Sequence, residues 1–144
     1  MWVKDVMSDQ VFTISSDDTI AEAAKKMATE DVGCLLVAEG GELEGIITDR
    51  DIAIRCCGEG EDPEGCTVAD HMSTPVFQIS PDESVWDAVE MMIENQVKRL
   101  PVTENGRLVG LLSFSDVAES LALPVNNLLL AMGKTRRTTG VPVG

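Results

Sequence analysis

The chain is poor in aromatic and basic side chains. Its 144 residues include no tyrosine, two tryptophans, three phenylalanines and one histidine, and 11 Lys and Arg stand against 25 Asp and Glu. So few rings leave little surface on which the bases of a single strand could stack. A formal net charge of -14 and a pI near 4.2 argue against broad duplex binding, which needs cations to displace counterions along the phosphates. Any anionic ligand must be held locally. No apolar run approaches the roughly 18 residues that a membrane-spanning helix requires. The opening MWVKDVMSDQ has no charged-then-apolar signal pattern, so the reading is a soluble, cytoplasmic protein. Catalytic equipment is equally sparse: one histidine, no nucleophile-base pair readable from the sequence and no Walker-type loop. No enzyme is expected.

What is present is an apolar fraction of 44%, enough for a core, and a repeat. A shift of about 65 residues aligns Val3–Ala53 with Val68–Ala118 without a gap, identical at about 20 of about 50 positions. VKDVMS matches VADHMS, VFTIS matches VFQIS, and CLLVAEGGELEGIIT matches RLPVTENGRLVGLLS. Two long copies predict a pseudo-twofold pair that buries a shared face.

Each copy begins with a short β-type run, Val11 to Ile14 or Val76 to Ile79. Ile20, Ala23, Ala24 and Met27, matched by Val85, Ala88, Val89 and Met92, then fall on one helical face. Thr19 with Glu22, and Ser84 with Asp87, place a hydroxyl and a carboxylate at capping-box spacing. Two strands joined by a Gly-containing turn follow, Cys34 to Glu39 with Leu43 to Thr48, and Leu100 to Glu104 with Leu108 to Ser113. A second helix opens at GIITDRDI and GLLSFSDV. The expected class is α/β (α+β): two β-α-β-β-α copies over residues 1–57 and 67–122, an acidic Gly-rich linker at 58–66, and a C-terminal helix and tail at 123–144.

This doubled order, with Gly-x-x-Thr/Ser-x-x-Asp closing each copy, resembles the cystathionine β-synthase (CBS) domain family arranged as a tandem pair, the Bateman module. The match covers about four fifths of the chain and rests on several segments in order, VFTIS, KRLPVTENGRLVG and GIITDRDI among them. The resemblance implies a stand-alone sensor that binds an adenosyl ligand (AMP, ADP, ATP or S-adenosylmethionine) between the copies, pairs into a homodimer, and acts in trans on a regulated protein partner or on itself.

Thr48 with Asp51, and Ser113 with Asp116, are capping boxes in their own right. The same helix start offers amides and a hydroxyl to a phosphate, while the acceptor-only carboxylate suits ribose hydroxyls. The resemblance places Lys98 and Arg99 beside the phosphate of a nucleotide held by Ser113 and Asp116. The first copy has Gly33 and Cys34 at those positions, and Arg50 as a weaker cation between Asp49 and Asp51. The second site therefore ranks higher for phosphates. Met7 and Phe12 are implied as adenine walls for the Ser113 site, Met72 and Phe77 for the Thr48 site; plain core roles are equally open to them. The rival reading is a structural dimerisation module that has kept the fold without a nucleotide.

CGEGEDPEG, at 57–65, lacks the full Gly-x-Gly-x-x-Gly spacing, and its acidic residues Glu59, Glu61, Asp62 and Glu64 would repel phosphate. It reads as a solvated linker. Cys56, Cys57, Cys66 and His71 give no paired Cys-x-x-Cys spacing, so neither metal nor cofactor is expected. Cys34 reads as a small core residue, and the linker cysteines as free thiols prone to oxidation. Past the repeat, the last helix should end near Ala122, break at Pro124 and resume from Asn126 to Met132. That helix is expected to pack on the module or a dimer mate, with the basic run Lys134, Arg136, Arg137 in a frayed tail that counters the acidic body; a partner-docking tail is the alternative.

Overall fold

A computed structural model describes residues 1–74 and 76–139, with side chains described through residue 133. The element order is α1 (Val3–Val6), β1 (Thr13–Ile14), α2 (Ile20–Glu30), β2 (Cys34–Glu39), β3 (Glu42–Thr48), a π-helical turn Asp51–Cys56, a 3-10 turn Cys57–Glu59, α3 (Val68–His71), α4 (Val85–Asn95), β4 (Arg99–Glu104), β5 (Arg107–Ser113) and α5 (Phe114–Thr139).

The two copies repeat closely. Each hairpin closes on two residues of positive φ, Gly40 and Gly41 in one and Asn105 and Gly106 in the other, the pairing that a tight two-residue turn demands. Each hairpin also carries a register shift at the same place, Val37/Ala38 and Val102/Thr103. The strands join in the order β1-β2-β3-β5-β4. Between the halves, only Glu42 and Arg107 stand in ladder register among the described residues. This seam is narrow.

Helices α2 and α4 bury Ile20, Ala23 and Met27, and Val85, Ala88 and Met92, the faces that their spacing predicts; Ala24 and Val89 stop half-buried at the edge. Thr19 and Glu22 form the full capping box. Ser84 departs from the expectation and takes the Trp86 amide instead. The opening strand is shorter than predicted in the first copy and shrinks to one parallel bridge, Ile79 with Val102, in the second. Parallel partners lie far along the chain, and the pairing ends where the chain leaves the sheet for the crossing segment.

The copies exchange their opening segments. Val3 N–H donates to Glu83 O at 2.9 Å and Val85 N–H to Met1 O at 3.1 Å; at the equivalent positions Val68 donates to Asp18 O at 2.8 Å and Ile20 to Cys66 O at 3.0 Å. As a result Val3, Val6 and Met7 pack into the core of the second copy, and Val68 and Met72 into that of the first.

Of the second helices, one forms with an unexpected winding and one expectation, a break at Pro124, is corrected. The first is π-wound, with the Cys57 amide reaching back to Ile52 O and Ala53 O, whereas α5 runs through Pro124 without a break. Proline lacks one donor and crowds the carbonyl four residues back, yet regular winding resumes beyond it. Its apolar side chains Leu123, Val125, Leu128, Leu129, Leu130 and Met132 are more than half exposed. The side chains of Lys134, Arg136 and Arg137 lie outside the described residues.

Candidate functional site

Both helix starts adopt reciprocal capping geometry. The Thr48 amide and hydroxyl donate to Asp51 Oδ2 at 2.9 and 3.0 Å, and the Asp51 amide donates to Thr48 Oγ1 at 3.2 Å. The Ser113 amide donates to Asp116 Oδ2 and the Asp116 amide to Ser113 Oγ, both at 3.0 Å. Each box engages Oδ2. The second oxygen of Asp51 lies 3.7 Å from Arg55 Nε.

Beside these starts lie two clefts, related by the same shift as the sequence repeat. One is lined by Ile46, Thr48, Asp51 and Ser73 with Val97, Lys98 and Arg99 of the second copy. The other is lined by Leu111, Ser113 and Ser115 with Gln10, Val11, Phe12, Val32, Gly33, Cys34 and Leu36 of the first copy, and by Arg99. A shallower extension holds Lys98, Arg99, Ser113, Phe114 and Ser115. Each motif thus faces the pre-strand residues of the opposite copy.

This arrangement changes where the cations count. Register pairs Arg99 with Ser113, so Arg99 stands by its own copy's helix start and also lines the Thr48 cleft; Lys98 does likewise. Both cations therefore line the Thr48 cleft and are not confined to the Ser113 side. Among the described residues neither is in an ion pair, which leaves both charges available to an anion. Arg50 is exposed, its amide held by Asp49 Oδ1 at 2.8 Å, and it lines neither cleft: the helix start turns it outward. Phe12 does wall the Ser113 cleft. Phe77 is 44% exposed and lines neither, Met7 and Met72 are packed against the two cores, and Asp116 stands behind Ser113.

Two structural residues of the motif escape sequence reasoning. A Cβ on Gly45 would lie 2.7 Å from Met72 Sδ and 3.1 Å from Ser73 O, and one on Gly110 would lie 2.6 Å from Met7 Sδ and 2.9 Å from Ser8 O. Ser73 pairs with Ile46, and Ser8 with Leu111, as antiparallel bridges. Glycine lets the exchanged segment lie against the strand.

Cys34 is buried, as read from its strand, and burial pushes its thiol up to about 11 against the pull of Arg99. The linker contains a grouping that the spacing did not predict. Cys56 Sγ, Cys66 Sγ, a ring nitrogen of His71 and a carboxylate oxygen of Glu61 all lie within 4.8 Å of one another. Pairwise motif spacing misses them because the loop folds back; the five-residue interval 56, 61, 66, 71 was the available signal.

The CBS domain model matches residues 3–56 and 68–123. The CBS domain-containing protein YhcV of Bacillus subtilis is 41% identical over 116 residues, which cover 81% of this chain and 82% of that protein. The crystal structure of Hypoxic Response Protein I, a Mycobacterium tuberculosis protein, contains two coordinated zinc ions; it superposes with a TM-score of 0.75 at 30% identity over 83% of this chain and 98% of that one. The CBS domain pair of protein MJ0100, in complex with 5-methylthioadenosine and S-adenosyl-L-methionine, superposes with a TM-score of 0.77 at 27% identity over 85% of this chain and 96% of that one. With the motif, the doubled architecture and the family match in agreement, the chain belongs to the CBS domain family, with two CBS domains in tandem.

Proposed function

We propose that the chain is a regulatory module that binds an adenosyl ligand between its two CBS domains and signals by changing their mutual angle or their packing in a dimer. The observation that carries this reading is the pair of mirrored clefts with Lys98 and Arg99 facing Thr48 and Asp51. The cations would take a phosphate, or the carboxylate of S-adenosylmethionine, joined by the Thr48 hydroxyl once it turns away from Asp51 Oδ2; Asp51 Oδ1 would take ribose hydroxyls. In the other cleft Phe12, Val11, Val32 and Leu111 offer apolar walls to a flat base, with Arg99 at the rim. The complex of MJ0100 with adenosyl ligands supports the class of ligand.

Each cleft has walls from both domains, so a ligand that touches both favours one mutual angle. In the sheet itself only the Glu42 and Arg107 pair stands in ladder register between the halves among the described residues, so the strand ladder opposes a change of that angle little. On the outside, Trp86, Ile93 and Phe114 are about half exposed or more on the contacting helices α4 and α5, an apolar face suited to a second copy. That face equally favours the second reading, a dimerisation module that needs no nucleotide. Calorimetric titration with AMP, ADP, ATP and S-adenosylmethionine, on the reduced protein and on Asp51→Ala and Asp116→Ala, separates the two. Saturable binding weakened in one or both variants supports the sensor; no binding at millimolar ligand by a folded dimer supports the scaffold.

A further inference from the structure

The repeat makes the linker grouping stand out. Under the shift that superposes the copies, His71 corresponds to Val6 and Cys56 to Leu121, and both of these are ordinary apolar contacts packed against the second core. At the same two packing positions the first core has an imidazole and a thiol. Cys56 is fully buried and His71 is 9% exposed. Two more donors arrive from the intervening loop. The chain turns back at Gly60, at φ 76, and the Glu61 amide donates to Cys56 O at 3.1 Å. That places the Glu61 carboxylate 2.6 Å from His71 Nε2, with the Cys66 thiol donating to the same oxygen at 3.3 Å.

We propose that Cys56, Cys66, His71 and Glu61 form a binding site for a thiophilic divalent cation, zinc by the class of its ligands. Two thiolates, an imidazole and a carboxylate are a borderline-soft set of the kind that selects zinc over harder cations. With metal-ligand distances of about 2.0 to 2.3 Å, a tetrahedron has edges of about 3.3 to 3.8 Å. The four atoms already lie within 4.8 Å of one another, so completing it takes small adjustments of both signs: the 2.6 Å contact of Glu61 with His71 must widen, and any edge near 4.8 Å must close by roughly 1 Å. On binding, each cysteine gives its thiol proton to solvent and a lone pair to the cation, and the proton shared between His71 Nε2 and Glu61 Oε2 leaves that contact for His71 Nδ1 or for solvent, so that the ring nitrogen and the carboxylate oxygen can each donate a lone pair. No redox step is involved. The strongly acidic chain favours a cation by its overall field.

The site would tie three parts together: the end of the π-wound turn, the linker, and α3, which runs directly into Met72 and Ser73 at the edge of the Thr48 cleft. A bound cation would fix the exchanged segment on the first domain. Cation binding at this site does not require an adenosyl ligand in either cleft.

The test uses the full chain, stripped with chelator and kept reduced. Zinc is titrated in competition with a chromophoric chelator, and cobalt is added as a spectroscopic probe. The expected result is one equivalent per chain, a thiolate-to-cobalt charge-transfer band with tetrahedral visible bands, and a melting temperature that rises with zinc. Cys66→Ser and His71→Gln should each weaken binding by at least the 10- to 100-fold that loss of even an outer-sphere partner costs, whereas Cys57→Ser, at an exposed thiol outside the group, should leave it unchanged. Circular dichroism shows which variants fold; if Cys66→Ser does not, Glu61→Gln and His71→Gln carry the comparison. Absence of stoichiometric binding by the reduced protein would overturn the proposal. So would affinity that persists unchanged in folded His71→Gln and Cys66→Ser, or a Cys56-Cys66 disulfide in air whose reduction yields no cation affinity.

Discussion

Gly45 and Gly110 show how a short motif carries two demands. Its hydroxyl and carboxylate are readable from spacing because a capping box is local, and the structure builds both boxes over three residues. The need for glycine is not local: it comes from Met72, Ser73, Met7 and Ser8, delivered by the exchanged segments. Gly45→Ala and Gly110→Ala should each destabilise the fold by about 1 to 3 kcal/mol, the usual range for overpacking. The shift should appear in the urea unfolding midpoint. Cys34 makes a pH-dependent prediction. Its folded-state value, about 11, lies above its ordinary 9.0 because burial disfavours the thiolate. The sign follows: the contribution is whole below pH 9 and is lost as pH rises towards about 11. Urea midpoints should therefore fall more steeply above pH 9 for the natural protein than for Cys34→Ala, and a thiol reagent at neutral pH should modify exposed Cys57 well before Cys34.

At the scale of elements, what the sequence makes legible follows from how locally each element is determined. Helices α2 and α4 are set by their own apolar spacing and emerge with the expected buried faces. The opening strands depend on a distant parallel partner, so their extent cannot be read from Val11 to Ile14 or Val76 to Ile79 alone. Pro124 illustrates the opposite error, since a local rule predicts a break and the helix absorbs it within a long apolar segment. Proline still costs the helix a hydrogen bond. Pro124→Ala should raise far-ultraviolet helicity and slow amide exchange over residues 125–133, with little change in ligand binding. Thr48→Ala removes an N-cap and should cost about 1 kcal/mol, visible in the thermal midpoint. Asp51→Asn, which keeps an acceptor at the box, should cost less in stability than Thr48→Ala.

For the molecule as a whole, the repeat by itself specifies a doubled architecture but not the exchange of opening segments. Hence the position of Lys98 and Arg99 on the wall of both clefts was hidden: the family resemblance places them beside Ser113, and only the fold brings them opposite Thr48 as well. The Cys56, Glu61, Cys66 and His71 grouping was hidden for the same reason, because it forms where a linker meets a segment that belongs to one copy and packs on the other. On the proposed reading, Arg99 reaches a ligand in both clefts. The decisive measurement is calorimetry of the natural protein and Arg99→Ala against whichever adenosyl compound binds, with stoichiometry and affinity both read. Loss of a charge-assisted contact worth about 1.5 to 3 kcal/mol should weaken every occupied site by more than tenfold in Arg99→Ala, while its unfolding midpoint stays close to that of the natural protein. Unchanged affinity in folded Arg99→Ala would mean that Arg99 holds no ligand in either cleft.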